Sequence, residues 1–215
     1  MITRVTSDAA SRPRVYRSAL RARQVEQTRR EVLDAAVDLF VRNGWARTTV
    51  AAIAEAAGVA VETVYSGFGS KKALLRAAMD VAIVGDAEPV PLVEREAYVK
   101  LREEPPARRL EGAMEIAGLI YSGPVPRLWA ALLEAAAGDR EVAQWCTQLE
   151  TGRRITIVEL LELVYGRQPD ERTVDIVWSL VSIETYIKLC LDRGWTTEQW
   201  QDWAVEAIHL FAGQP

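Results

Sequence analysis

The sequence predicts an all-α protein: an N-terminal three-helix helix-turn-helix domain followed by a C-terminal helical bundle. Three observations predict it. Apolar residues recur at three- and four-residue spacing through almost the whole 215-residue chain, as helices that bury one face require. Sustained apolar–polar alternation bounded by turn residues, the mark of strands, is hard to find. Near Gly58 two very short helical segments meet at a tight turn, with small residues such as Ala54 that let helices cross closely.

Composition agrees. At 49% hydrophobic and 26% charged the chain has an ordinary globular make-up, with length for one domain or two small ones sharing an interface. Cys146 and Cys190 are too few to staple a chain this long, so thiols in a reducing, cytoplasmic compartment are expected. No apolar run reaches 18 residues, so no membrane partner is expected; long candidates such as 176–183 are interrupted, there by Ser179 and Ser182. Residues 1–20 carry Arg4, Arg12, Arg14 and Arg17 without the apolar centre of a secretory signal.

Taken in order, the first helix is expected to open at Thr28, where Thr28-Arg29-Arg30-Glu31 has capping-box spacing. Residues 1–27 then read as a basic, flexible arm. Val32, Leu33, Ala36, Val37 and Phe40 form the helix's apolar face and Gly44 stops it. A second helix, about 50–57, takes Thr48 or Thr49 as N-cap and turns Ile53 and Ala54 inward. The third, 61–67, buries Val64 and Phe68 while Glu62, Thr63, Tyr65 and Ser66 face outward. The fourth, 71–84, starts at Ser70 and joins a domain at 28–80 to one at 81–215. Breaks at 86–91 and 103–106 precede expected helices at 107–121, 126–137, 140–165, 171–193 and 197–212.

Charge separates the two parts. Residues 1–80 hold 13 Lys or Arg against 8 Asp or Glu, and residues 81–215 hold 13 against 22. A basic front on an acidic back points to one part that meets a polyanion, and a helix-turn-helix presents its second helix to a DNA major groove. At the start of that helix, Glu62 can accept from a cytosine amino group and Val61 can touch a thymine methyl. The competing account of Glu62 is a first-turn carboxylate that favours the helix dipole. Thr63, Tyr65 and Lys71 suit phosphate contacts, and Thr48, Thr49 and Ser66 complete the expected DNA-facing set. The arm, with Arg21 and Arg23 adding to the four arginines above against Asp8 and Glu26, is expected to reach an adjacent minor groove, follow phosphates, or stay a solvated tail.

The string Thr48-Thr49-Val50, Ile53-Ala54, Ala57-Gly58-Val59, Thr63-Val64-Tyr65, Phe68-Gly69-Ser70-Lys71 and Leu74 resembles the N-terminal domain of tetracycline-repressor (TetR) family regulators. The resemblance covers residues 28–80 and implies phosphate roles for Thr63, Tyr65 and Lys71. It also implies a ligand pocket in the C-terminal domain whose occupant shifts the spacing of two DNA-reading heads. The sequence departs from the family pattern at Ala60, often Ser, at Gly67, often His, and at Ala52, often acidic. Ala60 removes a side-chain N-cap from the recognition helix, and Gly67 removes a phosphate donor.

Beyond residue 81, Tyr121, Trp129, Trp145, Cys146, Trp178 and Tyr186 are expected to line a mostly apolar pocket for a small-molecule effector, with core packing as the alternative. Helices 140–165 and 171–193 are expected to pair two chains into a homodimer on a palindromic operator. Ile157, Leu160, Leu161 and Val164 would come from the first, and Ile176, Leu180, Ile183 and Ile187 from the second, with burial inside one subunit as the competing account. Neither cofactor nor metal is expected: no glycine-rich phosphate loop, paired-cysteine spacing or nucleophile elbow occurs, and His209 is the sole histidine. The expected function is a ligand-released, DNA-binding transcription regulator, a repressor and not an enzyme. The alternatives are a DNA-binding dimer controlled by a protein partner, or a small helical enzyme.

Overall fold

The computed structural model describes the backbone of residues 12–85 and 94–213, with side chains from residue 21 onward in those stretches. The head comprises α1 (Arg12–Arg47), α2 (Val50–Ala56), α3 (Val61–Phe68) and α4 (Lys71–Val84). The body comprises α5 (Glu96–Glu103), α6 (Pro106–Ser122), α7 (Val125–Ala136), α8 (Arg140–Tyr165) and α9 (Glu171–Leu180), followed by α10 (Ile183–Tyr186), a π-helical segment at Ile187–Asp192, and α11 (Thr197–Ala212). No strand occurs among the described residues.

In the head, Val32, Ala36 and Phe40 of α1 meet Ile53 and Ala54 of α2, Val64 of α3 and Leu74, Leu75 and Ala78 of α4 in one buried core. Thr49, not Thr48, caps α2, its hydroxyl accepting the Ala52 N–H at 3.1 Å. Ser70 caps α4 through the Ala73 N–H at 3.2 Å. Ala60 leaves α3 without a side-chain cap.

Three expectations change. The first helix begins at Arg12 and runs unbroken through Thr28. Capping-box spacing marks a start only where the preceding residues resist helix; here Pro13 sits in the first turn, where its missing N–H costs nothing, and Ala, Leu, Arg and Gln follow. Glu31 instead accepts from Gln27 Nε2 at 2.9 Å. Residues 1–11 of the expected arm lie outside the described residues. Second, α5 forms between the two proline breaks; it is eight residues long and buries only Leu101, too little to show a period. Third, the helix expected at 171–193 breaks at Val181, because Ser182 turns extended and caps a new helix by accepting the Thr185 N–H at 3.1 Å.

The body is closed by α7, whose Leu128, Trp129, Leu132 and Ala135 are buried, and by α11, pinned by the fully buried Trp200. The crossing of α6 and α11 depends on Gly118: a Cβ there would come within 2.1 Å of Gln201 Nε2, the atom that donates to the Met114 carbonyl at 3.2 Å. The α7 helix also packs on α1 and α4, so the cores of head and body are continuous. Among the described residues no single helix is long and apolar enough to cross a membrane; α6 and α7 together are, but bend by 64°.

Candidate nucleic-acid interface

The third helix is short because its work is done by one anchor and an exposed face. Val64 is buried in the head core; Glu62, Thr63, Tyr65 and Ser66 are exposed, and Val61 is half-buried. Thr49 is exposed at the start of α2. Six of the eight expected DNA-facing residues are therefore exposed or half-exposed on α3 and at the start of α2. The far end of α3 is braced from α1, where the Arg29 guanidinium lies 4.5 Å from the Phe68 ring centroid and Nη1 donates to the Gly67 carbonyl at 3.5 Å.

Thr48 does not belong to this surface. It is 1% exposed, and its hydroxyl lies 2.7 Å from the Gly44 carbonyl oxygen and 3.0 Å from that of Leu39. It ties the end of α1 to the start of α2. Lys71 is half-buried and turned towards α1: Nζ donates to the Trp45 carbonyl and stands 4.0 Å from the Trp45 ring centroid, while Phe40 stacks on that indole at 6.0 Å. Burial pushes the Lys71 ammonium below its usual range, and the Glu134 charge opposes the shift.

Glu134, on α7, was not found by sequence reasoning. Its carboxylate accepts the Trp45 N–H at 2.7 Å and the Ala46 N–H at 3.3 Å. Gly44, with φ 71°, turns the chain so that these two donors point outward. The only sequence signal was a glycine stop followed directly by more helix, which leaves orphan N–H groups needing an acceptor from elsewhere. A second tie runs from Lys72 Nζ to Asp139 Oδ2 at 3.4 Å and to Glu141.

In the body, the expected pocket residues are packed. Tyr121, Tyr186 and Trp200 form an aromatic cluster with centroids 5.2 to 5.6 Å apart. Tyr121 OH donates to the Val181 carbonyl at 3.1 Å, Trp129 Nε1 to Glu184 at 2.7 Å, and Tyr186 OH pairs with Thr197 Oγ1 at 2.8 Å. Trp145 is buried and Cys146 half-buried. Arg153 lies 5.1 Å from the Trp178 ring centroid and pairs with Glu150 at 2.7 Å. The indole Nε1 atoms of Trp178 and Trp200 are buried without a partner among the described residues. Cys146 and Cys190 are free thiols, each pushed up by burial. A small cavity lies elsewhere, lined by Leu161, Tyr165, Arg167, Thr173 and Ala212.

The expected dimer face is corrected in part. Ile157, Leu161 and Val164 of α8 and Ile183 of α10 are buried within the one chain; Leu160, Ile176, Leu180 and Ile187 remain half-exposed. Exposed large apolar side chains are spread over the body: Leu119 on α6 is 75%, Ile155 on α8 55%, Leu191 52% and Leu210 on α11 78% exposed. Among the described residues no group of three or more His, Cys, Asp or Glu could hold a metal ion. His209 Nδ1 lies 3.1 Å from Tyr165 OH and 3.3 Å from the Gly213 carbonyl oxygen.

A helical head that exposes the second helix of a helix-turn-helix, on an all-helical body, defines the helix-turn-helix class of DNA-binding folds. Residues 32–78 match the family model of bacterial regulatory proteins, tetR family. Over 57 residues, 26% of this chain and 27% of the other, the sequence is 40% identical to the HTH-type transcriptional regulator TtgR of Pseudomonas putida. The chain thus spans about a quarter of that relative's length. A TetR-like transcriptional regulator from Rhodococcus sp. RHA1 superposes with a TM-score of 0.52 at 21% identity, covering 87% of this chain and 97% of that one. A Clostridium perfringens chain described as a fatty acid metabolism regulator gives 0.55 at 17% identity, covering 86% and 98%. The match to the tetR family model thus falls on the head, and the likeness of the whole chain to the two solved structures is one of fold.

Proposed function

We propose that the chain is a homodimeric, sequence-specific DNA-binding transcription regulator, a repressor that a small-molecule effector in the body releases from palindromic operator DNA. One observation carries the DNA part: α3 sinks Val64 into the head and leaves Glu62, Thr63, Tyr65 and Ser66 facing solvent beside Thr49. A helix so presented suits a major groove about 12 Å wide, where Glu62 and Val61 meet base edges and the hydroxyls of Thr49, Thr63, Tyr65 and Ser66 meet phosphates. Lys71 acts behind this face, by holding Trp45 and by adding positive potential.

The effector part is supported by the unpartnered indole N–H groups of Trp178 and Trp200. A mostly apolar molecule bearing a carbonyl or ether oxygen satisfies such donors. It would sit among Tyr121, Trp129, Trp145, Cys146, Trp178 and Tyr186, whose present contacts then loosen. The α7 helix is the lever: Trp129 near its start is tied to Glu184, and Glu134 near its end to Trp45. An occupant that prefers a displaced α7 shifts the population towards dimers whose α3 helices no longer match half-sites about 34 Å apart. The chains pair through the body, with Leu210 of α11, exposed in the single chain, at the contact.

The test is selection of sheared genomic DNA on the purified protein at low and moderate salt, followed by sequencing. A two-fold-symmetric motif retained at moderate salt is the expected result. Retention without a motif, lost as salt rises, overturns sequence-specific regulation.

A further inference from the structure

We propose that the N-terminal half of α1 is a second DNA-contacting surface, a basic helical outrigger lying along phosphates that flank the site read by α3. This rests on the DNA-binding reading above and extends it. Residues 12–30 contain seven arginines and one acid, Glu26, and no Asp or Glu occurs from residue 9 to residue 25. The stretch is helical from Arg12 onward, so its 16 residues before Thr28 lengthen α1 by about 24 Å.

The part of that length with described side chains stands clear of the protein. Residues 21–25 are all exposed, and Val25 is 70% exposed. A helix without a packed face draws on intrinsic propensity alone, which is marginal in water below about 12–15 residues. The stretch also carries net positive charge with no acid between residues 9 and 25 to offset it. A polyanion alongside offsets that charge. The outrigger is rooted next to the reading helix, because Arg29 is held on Phe68 and Gly67 at the end of α3. An α-helix with its side chains is about 10–12 Å across and the minor groove about 6 Å wide. The outrigger therefore does not enter that groove; it meets phosphates, which carry no sequence information.

The test uses the full chain and its R17Q/R21Q/R23Q variant, since Gln matches Arg in helix propensity. The probes are two duplexes carrying the sequence the chain enriches best from a randomised pool. One ends at the motif and the other extends about 10 base pairs, one helical turn, beyond each side. The wild type is expected to bind the longer duplex more tightly. The variant is expected to lose that gain, to keep the same preferred sequence and melting temperature, and to show a shallower dependence of log affinity on log salt, by about 0.9 for each phosphate it no longer neutralises. An unchanged salt slope and flank gain, with DNA binding intact, overturns the outrigger alone. So does a changed preferred sequence, which would make the arginines base readers. A wild type that enriches no sequence and binds neither duplex overturns the DNA reading itself.

Discussion

The Glu134 carboxylate on α7 caps Trp45, 89 positions earlier in the chain, accepting its N–H at 2.7 Å where Gly44 has just broken α1. The contact joins the end of the helix that supports α3 to a helix of the body. Replacing Glu134 by Ala orphans the Trp45 and Ala46 donors and is expected to cost about 1 kcal/mol, as loss of a helix N-cap does. For a chain of this size that lowers the melting temperature by about 2–4 °C, with faster hydrogen exchange at those two amides. Gly44→Ala should cost more, since it meets both a φ of 71° and a Glu134 oxygen 3.0 Å from the new Cβ. Unchanged exchange in Glu134→Ala would show that the cap does not hold in solution.

Thr48→Val keeps the shape and removes a buried hydroxyl whose neighbours are the Gly44 and Leu39 carbonyls. Leaving those acceptors short of a donor is expected to lower stability by about 1–3 kcal/mol in urea unfolding, with no change in preferred DNA sequence. A shifted sequence preference at unaltered stability would return Thr48 to the DNA-facing set.

Glu62→Ala is expected to change which base is preferred at one position of each half-site, whereas Lys71→Met should weaken binding to all sequences alike and also reduce the melting temperature, because the ammonium holds Trp45. Binding-site selection with both variants separates the two. Equal loss on every duplex for Glu62→Ala leaves it only its favourable place at the helix dipole.

Burial pushes the Tyr121 hydroxyl up to about 12, from 10.0, against a smaller opposing pull from Arg153. The folded-state value is the raised one, so the contribution to stability is complete below pH 10.0 and is lost as pH rises towards about 12. Urea stability at successive alkaline pH values should fall over that window in the wild type and fall less in Tyr121→Phe. Equal slopes would mean that Tyr121 ionises freely.

Leu210→Glu is expected to give a monomer in sedimentation equilibrium, because that side chain is 78% exposed in the single chain and faces the proposed partner. Leu160→Glu, at a half-buried position of α8, should leave the dimer intact. The reverse outcome would restore the pairing of α8 and α9.

Much of the head was legible in the sequence. Ile53, Ala54, Val64, Leu74 and Leu75 stand at helical spacing between polar caps, and the spacing alone sets which side of each short helix is buried. The outward set of Glu62, Thr63, Tyr65 and Ser66 followed from the same periodicity. The body was less legible, since α8 and α9 are apolar on more than one side and periodicity does not say whether a face meets its own bundle or a second chain. Ile157 and Leu161 went to the bundle, and the exposed apolar residues proved to be spread over several helices, among them Leu119 on α6, Ile155 on α8 and Leu210 on α11. The break at Ser182 was hidden because a serine inside an apolar run reads equally as a helical residue and as a cap.

The sequence by itself determined the all-helical class, the order of the head helices and the resemblance of the head to a family of regulators, because these depend on local spacing, caps and turns. Tertiary structure alone decided that Thr48 is buried, that Lys71 turns to Trp45, and that Glu134 reaches across to cap it. The reason is physical: a backbone donor left by a helix break states a need for an acceptor, but which remote side chain meets it depends on how α7 packs against α1, and that packing is a sum over the whole core.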